Sequence, residues 1–394
     1  MSIDLILIII FYGLLLLFYF KNKQKFELQG GIFAIYRTKL GLRLMNKIAK
    51  KFSTVLKYLS YLSIFVGFIG MFVILYYLIK GTYALVSVSG ALPVLAPVLP
   101  GVQIANLPVL SFWNWIISIL LVAVVHEFMH GVFSRYYNIK IKSSGFAFLG
   151  PILAAFVEPD EKKLAKKPKI SQMAVVSAGP FSNIIFAFVV LLLTFFIISP
   201  VTSNTMSYEG VQIIDIEKDY PASEAGLAKG DAILSINNIS INNITDFKNL
   251  IENIKPNEKI TITTTNTTFS VITAKNPQYP DRGYLGVSIA PMQVKIKESI
   301  ISKYGKILPA LFLWIAKLFF WLFVINLGVG LFNLLPLGPV DGGRLLTLGL
   351  SYFVKDKKLV HKFYVFISIF CLLLIFINLL PYILKLFLFI FSLF

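Results

Sequence analysis

The chain has 394 residues, 57% of them hydrophobic, with a formal net charge of +18. Soluble domains carry roughly 45–50% apolar residues, so this composition excludes an ordinary soluble fold and implies a chain threaded repeatedly through a membrane. The Lys and Arg excess matches the basic bias of cytoplasmic loops, so no nucleic-acid partner is expected.

Runs of about 20 apolar residues can cross a bilayer as helices. They occur near 3–20, 59–80, 113–135, 173–199 and 308–335, with a last apolar region over 363–394. The fold class implied is a polytopic α-helical membrane protein of about six transmembrane helices. The run Ile3 to Phe20 lacks a basic n-region before it and a small-residue cleavage site, and reads as a retained span. Pro381 makes the last region either one kinked span or one span and a short re-entrant piece. Cys371 is the one cysteine, so neither an intrachain disulfide nor a cysteine metal site can form. Basic residues cluster in the loop from Lys21 to Lys51, between Arg135 and Lys169, and between Arg344 and Lys358. Placed on the cytoplasmic side, these clusters put the N-terminus, 81–112 and 201–305 outside. Trp113 and Trp115 then mark the outer interface of the third span.

The stretch from Tyr208 to Ile289 is polar enough to be a soluble module. It alternates like β-structure over Val211 to Ile216, Ala232 to Ile236 and Lys259 to Thr265. A short helix is expected over Asp246 to Glu252, capped by Thr245. The segment Pro221 to Asn238 resembles the PDZ signature, in which a short helix leads into Gly-Asp and a strand. A small β-rich PDZ-like domain is therefore expected between the fourth and fifth spans, with a closing strand around Arg282 to Val287. The organisation read from the sequence is an N-terminal region 1–112 and a first core half 113–200. An extracytoplasmic PDZ-like domain with linkers follows over 201–305, then a second core half 306–350 and a C-terminal hydrophobic region 351–394.

The chemistry concentrates in two places. His126-Glu127-Phe128-Met129-His130 lies in an apolar run, and positions i and i+4 of a helix point within about 40° of each other. Two imidazoles so placed can hold one Zn²⁺, and Glu127 beside them can take a proton from water. Buried without partners they would cost several kcal/mol in a bilayer; a metal satisfies all three, and a hydrogen-bonded polar cluster is the plainer alternative. A third ligand is needed. His361 sits in a charged run; Asp341 is the better candidate, in Asn333-Leu-Leu-Pro-Leu-Gly-Pro-Val-Asp-Gly-Gly, where prolines and glycines forbid a regular helix.

With these motifs the sequence resembles the site-2 protease family of intramembrane zinc metalloproteases. The likeness is carried by His126 to His130, by Gly179-Pro-Phe-Ser-Asn183 and by Asn333 to Asp341, and covers about 113–350. It implies zinc ligands His126, His130 and Asp341, a catalytic Glu127, and substrate contacts from Asn333 and Asn183. Phe156-Val-Glu-Pro-Asp-Glu161 is similar to a stretch common in archaeal members. The apolar segment Ser144 to Phe156, broken at Gly150-Pro151, resembles the family's membrane-dipping β-hairpin, which offers an edge strand to an unwound substrate. The expected function is zinc-dependent hydrolysis of peptide bonds in single-span membrane proteins, within or near the bilayer. The active site would lie nearer the cytoplasmic face of a cell membrane, and the PDZ-like domain outside would bind a peptide or substrate ectodomain. The alternatives are an inactive PDZ-containing scaffold and a proton-coupled transporter.

Overall fold

A computed structural model describes residues 3–29, 33–88, 91–102, 104, 107–149, 152–277 and 279–391. The chain opens with α1 (Ile3–Lys21), β1 (Phe26–Gln29), β2 (Phe33–Thr38), α2 (Leu42–Lys51) and α3 (Ser53–Ser87). Then come α4 (Phe112–Tyr136), β3 (Ile141–Leu149), β4 (Ile152–Pro159), α5 (Glu161–Ala165), α6 (Lys169–Leu193) and α7 (Ser199–Thr205), the last two joined by one π turn. The β-rich stretch comprises β5 (Met206–Ile216), α8 (Pro221–Glu224), β6 (Ala232–Ile236), β7 (Ile239–Ser240), α9 (Ile244–Asn253), β8 (Lys259–Thr264), β9 (Thr268–Ile272), β10 (Ala274–Lys275), β11 (Gly283–Tyr284) and β12 (Val287–Ile296). The chain closes with α10 (Glu298–Tyr304), α11 (Ile307–Phe332), α12 (Asp341–Phe353) and α13 (Lys357–Phe391).

Among the described residues, five helices are long and apolar enough to span a bilayer: α3, α4, the run Lys169–Thr205, α11 and Lys357–Lys385; α1 adds a shorter apolar helix. The last region is a single helix that runs through Pro381. The chain divides into two compact units, Met1–Thr194 with Lys317–Phe394, and Phe195–Ala316.

In the first unit, one buried polar group ties several elements of the helix bundle together. Asn378 on α13 is fully buried. Its amide donates to Thr82 Oγ1 at 2.8 Å and to Leu374 O at 2.9 Å, and accepts from Val94 N at 3.1 Å. Leaving such a group unpaired costs about 1–3 kcal/mol, so this knot holds α13, α3 and the loop at Val94 together. Gly81 permits it: a Cβ there would stand 2.2 Å from Val94 Cγ2. Trp115 is turned inward, 6% exposed, and donates to Val98 O at 3.0 Å. It anchors the chain at Val98 to α4, so its ring faces protein.

The basic loop after α1 is not a simple loop. Its strands β1 and β2 join β3 and β4 in an antiparallel sheet of order β1-β2-β3-β4. Arg37 lies opposite Gly145, and only glycine fits there, because a Cβ would meet Tyr36 O at 2.0 Å. Arg37 reaches across the sheet, bonding Glu27 on β1 at 2.9 Å, Ser143 on β3 at 2.8 Å, and Glu158 on β4. The Ser143 hydroxyl and the Arg37 guanidinium hold the Glu158 carboxyl below the usual carboxylate range. Gly150 and Pro151, the expected break in the β3–β4 hairpin, lie outside the described residues. Helix α2 is amphipathic: Met45 and Ala49 are buried against α4, while Arg43, Lys47, Lys50 and Lys51 line its other faces.

The second unit holds the β-rich module, a sheet of order β12-β5-β6-β8-β9 with β7 paired to β6. Alternation buries Ile260 and Ile262 of β8 with Ile233 and Ile236 of β6 and Ile213 of β5. Asn237 and Asn238 take positive φ in the β6–β7 turn, as a tight two-residue hairpin requires. Helix α9 starts two residues earlier than expected. Its cap is Asn243, whose side chain accepts from Asp246 N at 2.9 Å, and Thr245 lies within the first turn. The closing stretch divides between β11, paired with β10, and β12, paired with β5; β12 is an edge strand of the sheet.

Candidate metal centre

His126 and His130 sit one turn apart on α4, ring centroids 4.8 Å apart. Their Nε2 atoms approach to 3.1 Å, and Asp341 Oδ2 lies 3.0 Å from one and 3.3 Å from the other. One ligand atom from each residue lies within 4.8 Å of the others, and no other such trio occurs among the described residues.

Helix α6 is the reason these atoms converge. Val175, Gly179 and Asn183 follow at intervals of four, so they form one face. The Val175 carbonyl accepts from His130 Nδ1 at 2.7 Å, which leaves Nε2 of that ring a bare lone pair. Asn183 is fully buried, with its amide 3.1 Å from His126 Nδ1. Its Oδ1 is buried and unpaired; turning the amide over presents Oδ1 to an Nδ1–H of His126. Then both Nε2 atoms and a carboxylate oxygen face one point with no proton among them. A metal ion or a shared proton resolves that arrangement, and two imidazoles with one carboxylate match a catalytic zinc donor set. Gly179 leaves the space. A Cβ there would stand 2.4 Å from His130 Nε2 and 2.5 Å from His126 Nε2, in the ground a metal would occupy.

Asp341 reaches the site because α11 stops at Phe332 and the chain doubles back. Gly342 N donates to Asn333 O at 2.7 Å. A Cβ on Gly342 would meet Leu335 O at 2.2 Å, and one on Gly343 would meet Leu337 O at 2.0 Å. The pair of glycines after Asp341 is thus demanded by backbone packing on backbone. Leu334 and Leu335, both fully buried, pin the turn, and Ser368 on α13 donates to Pro336 O at 2.7 Å.

Glu127 opens with His126, His130 and Asp341 onto a cavity of about 240 Å³, which Asn333, Val157 and Arg344 also line. Its Oε2 accepts from Val157 N at 2.9 Å, on the edge strand β4. Arg344, one turn past Asp341, makes a two-point ion pair with Glu161 on the cavity wall, at 2.8 and 3.2 Å. The Asn333 amide donates to Val329 O at 3.1 Å. The structure therefore brings His126, Glu127, His130, Asp341 and Asn333 together on one cavity, and places Asn183 behind His126, away from its wall. His361 is exposed. Sequence reasoning missed Val175 and Val157, which act through backbone atoms and carry no side-chain signal. It also missed the use of Gly179, which the sequence marked as part of the Gly179 to Asn183 motif without showing what the glycine does.

Gly179→Ala tests the vacancy these distances describe. The substitution raises helix propensity by about 1 kcal/mol, so the protein is expected to fold. Its metal content, read by mass spectrometry on purified protein, is expected to fall to under a tenth of wild type. Full retention would mean the metal sits elsewhere.

The family model for Peptidase family M50 matches residues 114–375, a span that contains both halves of the ligand set. An uncharacterized protein of Methanocaldococcus jannaschii is 34% identical over 351 residues, 87% of this chain and 84% of that one. A zinc metalloprotease RasP of Shouchella clausii is 25% identical, covering 50% of this chain and 54% of that protein. The regulator of sigma-W protease RasP of Bacillus subtilis is 26% identical, covering 56% and 60%. The chain thus spans little more than half the length of these two bacterial relatives. A solved PDZ domain from an SdrC-like protein of Listeria innocua is 25% identical over 21% of this chain and 93% of that domain, with a TM-score of 0.19. The chain's apolar spanning helices and the convergence of His126, His130 and Asp341 agree with the matched span: the chain belongs to Peptidase family M50.

Proposed function

We propose that this protein cuts single-span membrane proteins within or next to the bilayer, with His126, His130 and Asp341 as zinc ligands and Glu127 as the catalytic base. One observation carries the reading: three ligand atoms and Glu127 share a cavity formed in part by α4, a helix apolar enough to span the membrane. Zinc supplies a Lewis acid and makes a water acidic enough to ionise near neutral pH. Glu127 takes the proton of the attacking water and returns it to the nitrogen of the leaving amine. Asn183 acts through His126, holding the ring so that Nε2 faces the cavity. Asn333, on the cavity wall, contacts the substrate backbone.

A helical substrate hides its carbonyls in its own hydrogen bonds and must unwind before hydrolysis. The edge of β4 supports a route, because strand addition holds an extended backbone, and Val157 N already points towards Glu127. The basic clusters support an orientation with the catalytic end of α4 nearer the cytoplasm and the β-rich module outside. That module serves as a PDZ-like gate, admitting some substrate ectodomains and rejecting bulky ones.

Glu127→Gln is expected to keep its zinc and lose cleavage of a single-span reporter by a factor on the order of 10²–10⁴, the usual range for general acid–base catalysis. Asp341→Ala is expected to lose zinc and activity together. A zinc-free Glu127→Gln protein, or a zinc-replete Asp341→Ala, would refute these assignments.

For the orientation, single cysteines are introduced in a Cys371→Ser background. Thr245→Cys is expected to react with an impermeant thiol reagent in intact cells, and Lys163→Cys only after permeabilisation; the reverse result inverts the topology.

The gate is tested by replacing Glu209 to Ile289 with a Gly/Ser linker of about 20 residues, which spans roughly 25 Å on average. Zinc content is expected to hold while reporters with large ectodomains become substrates. An unchanged substrate range would dismiss the gate, and zinc loss would make the module a structural clamp.

A further inference from the structure

A second cavity, of about 110 Å³, adjoins the catalytic one and shares two residues with it, Glu127 and Val157. Its walls are Leu40, Met45, Val124, Phe128, Ala155 and Phe156. The two hydroxyls on its lining are spent internally: Thr38 Oγ1 donates to Ser144 O at 3.1 Å, and Ser144 Oγ donates to Leu40 O at 2.7 Å. No free polar side chain other than Glu127 is offered to an occupant. Resting on the proteolytic reading above, we propose that this cavity is the specificity pocket for one substrate residue flanking the cut bond, and that it selects a branched aliphatic side chain.

The position follows from the shared residues. A backbone laid along β4 at Val157, with its carbonyl at the ligand trio, passes Glu127. A side chain adjacent to the cut bond then faces the apolar side of Glu127. The size follows from volume. A cavity of roughly 150 Å³ accommodates a benzene ring, so 110 Å³ takes Val, Ile or Leu and excludes an indole. The chemistry follows from desolvation: a polar side chain placed here finds no partner and loses its water, at a cost of about 1–3 kcal/mol. Leu40 and Met45 come from the segment between α1 and α3, outside the span matched by the family model. The preference is therefore set by this chain's N-terminal region and not by the family core alone.

Two substitutions change the pocket in opposite senses. Ala155→Leu fills it from the edge strand; Met45→Ala deepens it from α2. The probe is a tryptic peptide library from a whole-cell digest, treated with zinc-loaded full-length protein in detergent, with every new terminus mapped by mass spectrometry. Wild type is expected to show Val, Ile and Leu enriched at least fivefold over Gly at one fixed position beside the cut, with Trp depleted. Ala155→Leu is expected to shift that position at least fivefold toward Gly, Ala and Ser, and Met45→Ala to admit Phe and Trp, each at unchanged zinc content. If Ala155→Leu is inactive, Met45→Ala carries the test alone. Cuts with no preference beside the bond, or a preference that active variants leave unaltered, overturn the pocket and leave the protease standing. A wild-type protein that holds zinc and cuts nothing overturns the proteolytic reading, and the pocket's role with it.

Discussion

The site depends on three lone pairs aimed at one point. With the Nδ1–H of His130 given to the Val175 carbonyl, and that of His126 given to a turned Asn183 amide, both Nε2 atoms lack a proton where they meet. A carboxylate oxygen joins them at 3.0 and 3.3 Å. Without a metal, only a proton shared between an imidazole and Asp341 holds this cluster together, since buried lone pairs and a carboxylate with no partner lose their water without return. Its partners are therefore chosen for direction more than for strength. A backbone carbonyl and a buried amide fix the two rings from behind, so a metal would meet donor atoms already oriented.

The need to bring Asp341 to that point shapes the backbone on the opposite side. A continuous helix from Ile307 onward would carry Asp341 well past the histidines, at 1.5 Å per residue. The chain instead breaks at Asn333, turns on Leu334 and Leu335, and restarts a helix with Asp341 at its first position. Irregular backbone at membrane depth survives only where protein or a polar cavity receives its hydrogen bonds. Here Asn333 O takes Gly342 N, and Pro336 O takes Ser368 Oγ. The glycines follow from contact distances near 2 Å, which no side chain fits.

The four-stranded sheet solves a different problem, the presentation of an edge. Strand β4 packs against α4, and Val157 N meets Glu127. The Arg37 network ties that edge to strands 120 residues distant in sequence: Arg37 to Glu158 is a separation of 121. The same fold-back carries Leu40 and Met45 to the apolar cavity beside Glu127. A segment that reads as a cytoplasmic basic loop thereby becomes part of the site's surroundings.

What the sequence determined by itself was whatever depends on local spacing and on solvent. Apolar runs near bilayer length marked the spans. The four-residue interval put His126 and His130 on one face of α4, and the prolines and glycines before Asp341 announced a break in the helix. Alternation in Lys259 to Thr265 announced a strand, which the structure ends at Thr264. Tertiary structure alone decided the rest, because each remaining element depends on atoms far apart in the chain or on backbone atoms that every residue has. The strands β1 and β2 belong to a sheet because β2 pairs with β3, more than 100 residues later. Trp115 turns inward because Val98 O is there to receive it. Gly179 gains its meaning only from the two imidazoles beside it, and Asn183 from the ring it supports. The α9 cap falls on Asn243 because two nearby residues can each cap a helix, and only the chain's path into the module chooses between them.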